Sequence, residues 1–174
     1  EAARGTLLAG TAGIDAGWVR QFNAPFEKIA VEFAETFARL FDGGVGKIWL
    51  AEASDPTQAG IEIAAQPPGK KMQSLNLLSG GERAMTAVAL IFAILRVRPS
   101  PFYIFDEIDA ALDEANVGRF GGALIDVARS AQTIIITHNK ATMTLANRIY
   151  RITMGEPGAS SVLSPALEKA GARL

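Results

Sequence analysis

Residues 102–107 read F-Y-I-F-D-E. Four apolar residues followed by two adjacent carboxylates match a buried strand whose far end opens onto a ligand, because ligands in open α/β sheets gather at the carboxyl ends of strands. Asp106 can hold Mg²⁺ through an oxygen or a bound water, and Glu107 can take a proton from an attacking water. The same two acids can also merely cap the turn that follows, so the flanking sequence has to decide.

On both sides the pattern alternates. Helical spacing predicts helices at Glu82–Arg96, Glu114–Ala128 and Lys140–Ala146, with apolar strands at Phe102–Phe105, Gln132–Thr137 and Arg148–Met154. Such alternation predicts an α/β fold with a mainly parallel sheet covered by helices on both faces. Upstream, Trp18, Phe22, Phe26, Ile29, Phe33, Phe37 and Leu40 step by three and four and form one stripe of a helix. Pro25 kinks this helix or marks its start, and Asp42-Gly43-Gly44 ends it. Two alternating runs, Lys47–Ala53 and Gly60–Gln66, predict a small antiparallel pair joined by S-D-P-T-Q-A. Residues 1–17 read as a lead-in, small and Gly-rich at first, and 18–174 as the body of the fold. The tail after Glu156 is Gly-, Ser- and Pro-rich, with a short strand at Ser161–Leu163.

Three further stretches bear on the 102–107 edge. In T-I-I-I-T-H-N-K, residues 133–140, the chain's only histidine, His138, follows an apolar strand and emerges at the same predicted sheet edge as Asp106 and Glu107. A lone histidine is often structural, but a shared edge gives this one chemistry to join. In D-A-A-L-D-E-A-N, residues 109–116, Asp113 is a helix N-cap or a functional acid. In L-N-L-L-S-G-G-E-R-A, residues 75–84, Ser79 and Glu82 have capping-box spacing. A plain cap does not need two glycines behind it, and glycine there weakens the helix. Bare backbone N–H groups at a helix start make a seat for a bulky anion, which would justify Gly80 and Gly81.

What is missing matters as much. A phosphate-cradling loop needs G-x-x-x-x-G-K-[ST], and neither Gly46-Lys47 nor Gly69-Lys70 fits it. Charge is nearly balanced, Lys+Arg 17 against Asp+Glu 18, so no overall basic field points to nucleic acid. The absence of cysteine excludes disulfides and thiolate metal sites, leaving oxygen ligands for any metal. The apolar run Ala84–Leu95 is too short to span a bilayer, and the first residues lack the apolar stretch of a signal peptide. These features read as a cytoplasmic protein without a membrane partner.

Together these residues resemble the C-terminal half of the ATPase head of bacterial and archaeal SMC (structural maintenance of chromosomes) proteins, within the ABC-type ATPases. L-L-S-G-G-E at 77–82 is similar to the ABC signature motif, F-Y-I-F-D-E to Walker B, A-A-L-D at 110–113 to the D-loop, and I-T-H-N-K at 136–140 to the switch-histidine segment. The wording between motifs, Q-P-P-G-K-K, R-V-R-P-S-P-F and D-E-I-D-A-A-L-D-E-A-N-V-G-R-F, narrows the likeness to SMC heads. Transporter ATPases more usually show D-E-P after the strand. The lead-in departs from the pattern, since it is not heptad-like where a coiled-coil arm belongs.

The resemblance implies a head assembled from two chain ends, with the P-loop on the N-terminal half. It implies ATP and Mg²⁺ as ligands, Asp106 on the metal, Glu107 as the catalytic base and His138 as the γ-phosphate sensor. Ser79, Gly80, Gly81 and Glu82 would face a nucleotide on a second head, with Asp113 ordering that interface. The implied partners are the chain's own N-terminal half, a second SMC head in a homodimer, a kleisin subunit with its associated partner, and DNA. The implied setting is the nucleoid, and the implied role ATP-driven head engagement in chromosome condensation and segregation. An SbcC- or RecN-type repair head and a non-catalytic kleisin-binding lobe are the alternatives.

Overall fold

The computed structural model describes residues 2–52, 60–154, 158 and 160–163, with side chains described from residue 21 onward. The S-D-P-T-Q-A turn, residues 155–157 and the tail beyond 163 lie outside the described residues. The chain begins with a helix, α1 (Ala2–Leu40), that runs through Pro25 rather than starting at it. Its backbone also continues through the stretch expected to be an irregular lead-in. The stripe read from the sequence is buried only toward its C-terminal end: Phe33, Phe37 and Leu40 lie in the core, whereas Phe22 is half exposed. The helix stops in a left-handed turn at Asp42, Gly43 and Gly44 (φ 56°, 122° and 79°), closed by the Gly43 N–H donating to the Ala38 carbonyl at 2.7 Å. Gly44 is required twice over, since a Cβ there would also strike the Gln66 carbonyl.

Strands β1 (Val45–Leu50) and β2 (Ile61–Gln66) pair antiparallel as expected, and a two-residue strand β3 (Gln73–Ser74) adds to β2. A 3₁₀ turn, Leu75–Leu77, leads into α2 (Gly80–Val97). The remaining elements are β4 (Phe102–Asp106), α3 (Glu114–Ala128), β5 (Gln132–Ile136), α4 (Lys140–Met143), β6 (Arg151–Met154) and β7 (Ser160–Leu163). β4 and β5 pair in parallel, Phe102 opposite Gln132 through Asp106 opposite Ile136.

The core lies between α1, α2, α3 and one face of this parallel pair. Phe92 of α2 stacks on Phe120 of α3 with ring centroids 5.9 Å apart and meets Phe105 of β4 edge-on at 6.0 Å. Each such ring, fully buried, contributes about 1.5–3 kcal/mol. The expectation of helices on both faces is corrected here. Among the described residues the opposite face stays bare, with Phe102, Ile104, Ile134 and Ile136 all exposed, Ile104 to 59%. Continuous apolar strands are the mark of a sheet buried on both sides, a demand that the described residues meet on one side only. Nor does β6 extend the parallel pair: it forms a separate antiparallel ribbon with β7.

Candidate functional site

The predicted residues fall into two groups. The first surrounds the start of α2. Leu78, buried, anchors the turn, and Ser79 is the N-cap in extended geometry. The capping box is complete. The Glu82 N–H donates to Ser79 Oγ at 3.4 Å, while Glu82 Oε2 accepts from the Ser79 N–H at 3.1 Å and from the Ser79 hydroxyl at 2.7 Å. Lys70, dismissed by the sequence as a false P-loop lysine, places its Nζ 2.8 Å from Glu82 Oε1. That lysine, then Ser79, holds the Glu82 carboxyl below the usual carboxylate range.

Among the described residues nothing accounts for the two glycines. A Cβ on Gly80 would meet nothing, and one on Gly81 would make only ordinary contacts, 3.6 Å from Asp113 Oδ2 and Asn116 Nδ2. Neither has a positive φ. Two side chains are therefore missing where the fold has room for them. The Gly81 contact also sets Asp113 beside this turn, where it caps α3 by accepting from the Asn116 N–H at 2.8 Å.

The second group lies at the carboxyl ends of β4 and β5. Asp106 closes β4 with its side chain exposed. Glu107 follows in a left-handed conformation, φ 48°, which for a non-glycine residue costs on the order of 1–2 kcal/mol. Its N–H donates to the Ile136 carbonyl at 2.9 Å and its carbonyl accepts from the Ala110 N–H at 3.0 Å, so the strained turn is pinned at both ends. His138, just beyond β5, brings Nδ1 to 3.9 Å from Glu107 Oε1, with both side chains largely exposed. Among the described residues no hydrogen bond or salt bridge joins this group to the α2 turn.

Sequence reasoning missed Asp109. It is 1% exposed and accepts hydroxyl hydrogen bonds from Thr137, at 2.7 Å, and from Thr142. The third acid of D-E-I-D and the threonines bracketing His138 were its only signals.

Asp106 suits Mg²⁺. Its donor is an exposed hard oxygen at the end of β4. Mg²⁺ commonly takes one or two carboxylates and completes its shell with water and substrate phosphate. No helix among the described residues is long and apolar enough to cross a membrane.

An open helix N-terminus at Gly80 and Gly81 and, at a strand edge, two exposed carboxylates with a histidine beside them stand on an α/β scaffold. The RecF/RecN/SMC N terminal domain family matches residues 25–161, and the chain belongs to that family. The chromosome partition protein Smc of Bacillus subtilis is 48% identical over 167 residues, which are 96% of this chain but 14% of that protein. A solved chain from work on the ATP-driven dimerization and DNA-stimulated activation of SMC ATPases superposes with a TM-score of 0.76 at 40% identity, covering 87% of this chain and 92% of that one. An Smc head bound to the C-terminal winged-helix domain of ScpA gives 0.73 at 43% identity, but there the shared part is 83% of this chain and only 44% of the head.

Proposed function

We propose that this chain is the half of an SMC ATPase head that lacks the P-loop, residues 18–174 carrying its signature motif, Walker B, D-loop and switch histidine. The observation that carries the reading is the face of the β4–β5 pair left bare among the described residues, lined by Phe102, Ile104, Ile134 and Ile136, in a chain whose matched part accounts for 44% of a solved Smc head. The other half supplies the P-loop and covers that face.

In the assembled head, Asp106 would hold Mg²⁺, which when bound with ATP would offset charge on the phosphates. Glu107 accepts a proton as water attacks the γ-phosphorus and the bond to the ADP oxygen breaks, and His138 steadies the γ-phosphate beside it. Ser79, Gly80, Gly81 and Glu82 present the α2 N-terminus to ATP on a second head, and Asp113 orders that junction. Catalysis of this kind is positioning and charge stabilisation. In the whole protein, ATP engages two heads of a homodimer that encloses DNA in the nucleoid. A kleisin subunit with its associated partner bridges them; the similar Smc head bound to the C-terminal winged-helix domain of ScpA supports the contact between head and kleisin.

Mixing this chain with its P-loop half, each inactive alone, restores ATP hydrolysis; a normal rate from this chain alone would overturn the reading. Ile104→Asp leaves the isolated chain as stable as before, within about 0.5 kcal/mol for an exposed site, yet prevents the two halves from co-purifying.

A further inference from the structure

Asp109 is an acid that the scheme above leaves unused. A buried carboxylate has to find donors, and Asp109 finds two on the same segment. Thr137, immediately before His138, donates at 2.7 Å, and Thr142 of α4 donates to the same oxygen, Oδ2. Thr137 Oγ1 in turn accepts the Asn139 N–H at 2.9 Å. His138 thus sits between two residues tied to one carboxylate. Asp109 itself stands two residues beyond Glu107, in a turn closed by the Ala110 N–H on the Glu107 carbonyl and the Leu112 N–H on the Asp109 carbonyl. Its second oxygen, Oδ1, is buried without a partner among the described residues. An orphaned buried acceptor costs about 1–3 kcal/mol, a penalty that an apolar residue would avoid.

We infer that Asp109 is a positioning residue, fastening the strained Glu107 turn to the segment Thr137–Thr142 so that His138 and Glu107 keep their 3.9 Å register. Buried at 1% exposure, it acts through the residues it holds. For its effect on hydrolysis this inference rests on the function proposed above; for the geometry it does not.

The test has two readouts. His138 is the only histidine, so its ring signals in NMR spectra of the 174-residue chain are unambiguous. Asp109→Ala and Thr142→Val shift or split those signals in a chain that still melts cooperatively, whereas Asp109→Asn, which keeps an acceptor oxygen for both hydroxyls, leaves them in place. In the head reconstituted with its P-loop half, Asp109→Ala and Thr142→Val lower kcat by about 10–100-fold with KM for ATP within about twofold, and Asp109→Asn stays within about threefold of the parent. Unmoved ring signals and unchanged kcat in folded Asp109→Ala would overturn the inference, as would an equal kcat loss in Asp109→Asn. Should Asp109→Ala fail to fold, Thr142→Val, nearly isosteric, decides by the same criteria. Should the unsubstituted reconstituted head fail to hydrolyse ATP, the functional reading falls, and the NMR comparison still decides the positioning role.

Discussion

At the start of α2 the Ser79 and Glu82 cap is satisfied within the chain, with Lys70 added to it, and nothing in it is strained. At the ends of β4 and β5, Glu107 holds a positive φ, and it and His138 point into solvent 3.9 Å apart over a buried carboxylate. The first region is at rest and carries a cost, two bare glycines, that nothing among the described residues repays. The second carries strain, and the interior beneath it is built to maintain that strain. Strain held in place by its surroundings is what the chemistry proposed for Glu107 would use, whereas room at a helix N-terminus is what the proposed nucleotide of a second head would fill.

The largest effects should separate the two regions. In a reconstituted head, Glu107→Gln lowers the hydrolysis rate by about 10²–10⁴-fold, the usual contribution of a general base, and leaves ATP-dependent pairing of heads intact, so paired heads accumulate on a sizing column. Ser79→Arg does the reverse to pairing: heads still bind ATP but no longer associate, and hydrolysis falls with association. Equal loss of ATP binding and pairing in Ser79→Arg would erase the distinction. So would loss of pairing in Glu107→Gln.

A smaller effect, of opposite sign on stability, comes from Gly80→Ala. A Cβ there meets nothing, and alanine reduces the freedom of the unfolded chain, so the isolated chain gains about 0.4–1 kcal/mol in urea unfolding. The same substitution weakens pairing of reconstituted heads. If pairing is untouched, the glycine is not kept for a partner and the α2 turn is only a cap.

The two regions were unequally legible in the sequence. The cap was readable because Ser79 and Glu82 interact at a fixed local spacing, and the strand ends were readable because apolar runs stop at Asp106 and at Thr137. Pairings between distant residues were not. Lys70 lies twelve positions before Glu82, in a loop whose path no periodicity defines, and Asp109 meets Thr142 across 33 positions. The expected two-sided cover of the sheet failed for a different reason. An apolar strand records that both of its faces become buried, but not which chain segment buries them. The helical backbone before Trp18 was obscured by glycines at 5, 10, 13 and 17, each unfavourable in a helix.

The smallest effect tests how firmly the α2 turn is held at rest. Lys70→Met keeps an aliphatic stem but removes the ion pair with Glu82. Because Lys70 is half exposed, the loss is only about 0.2–1 kcal/mol at neutral pH. The pH dependence carries the sign. Folding lowers the Glu82 pKa, chiefly through Lys70 and next through Ser79, so the stabilisation is complete above the ordinary carboxylate range and disappears as pH falls through the lower folded-state value. Urea midpoints of the parent and Lys70→Met chains should therefore differ at neutral pH and converge in acid. A difference that persists unchanged in acid would mean that Lys70 acts through its stem alone, and the turn would then be fastened by its Ser79 and Glu82 cap without help from the loop.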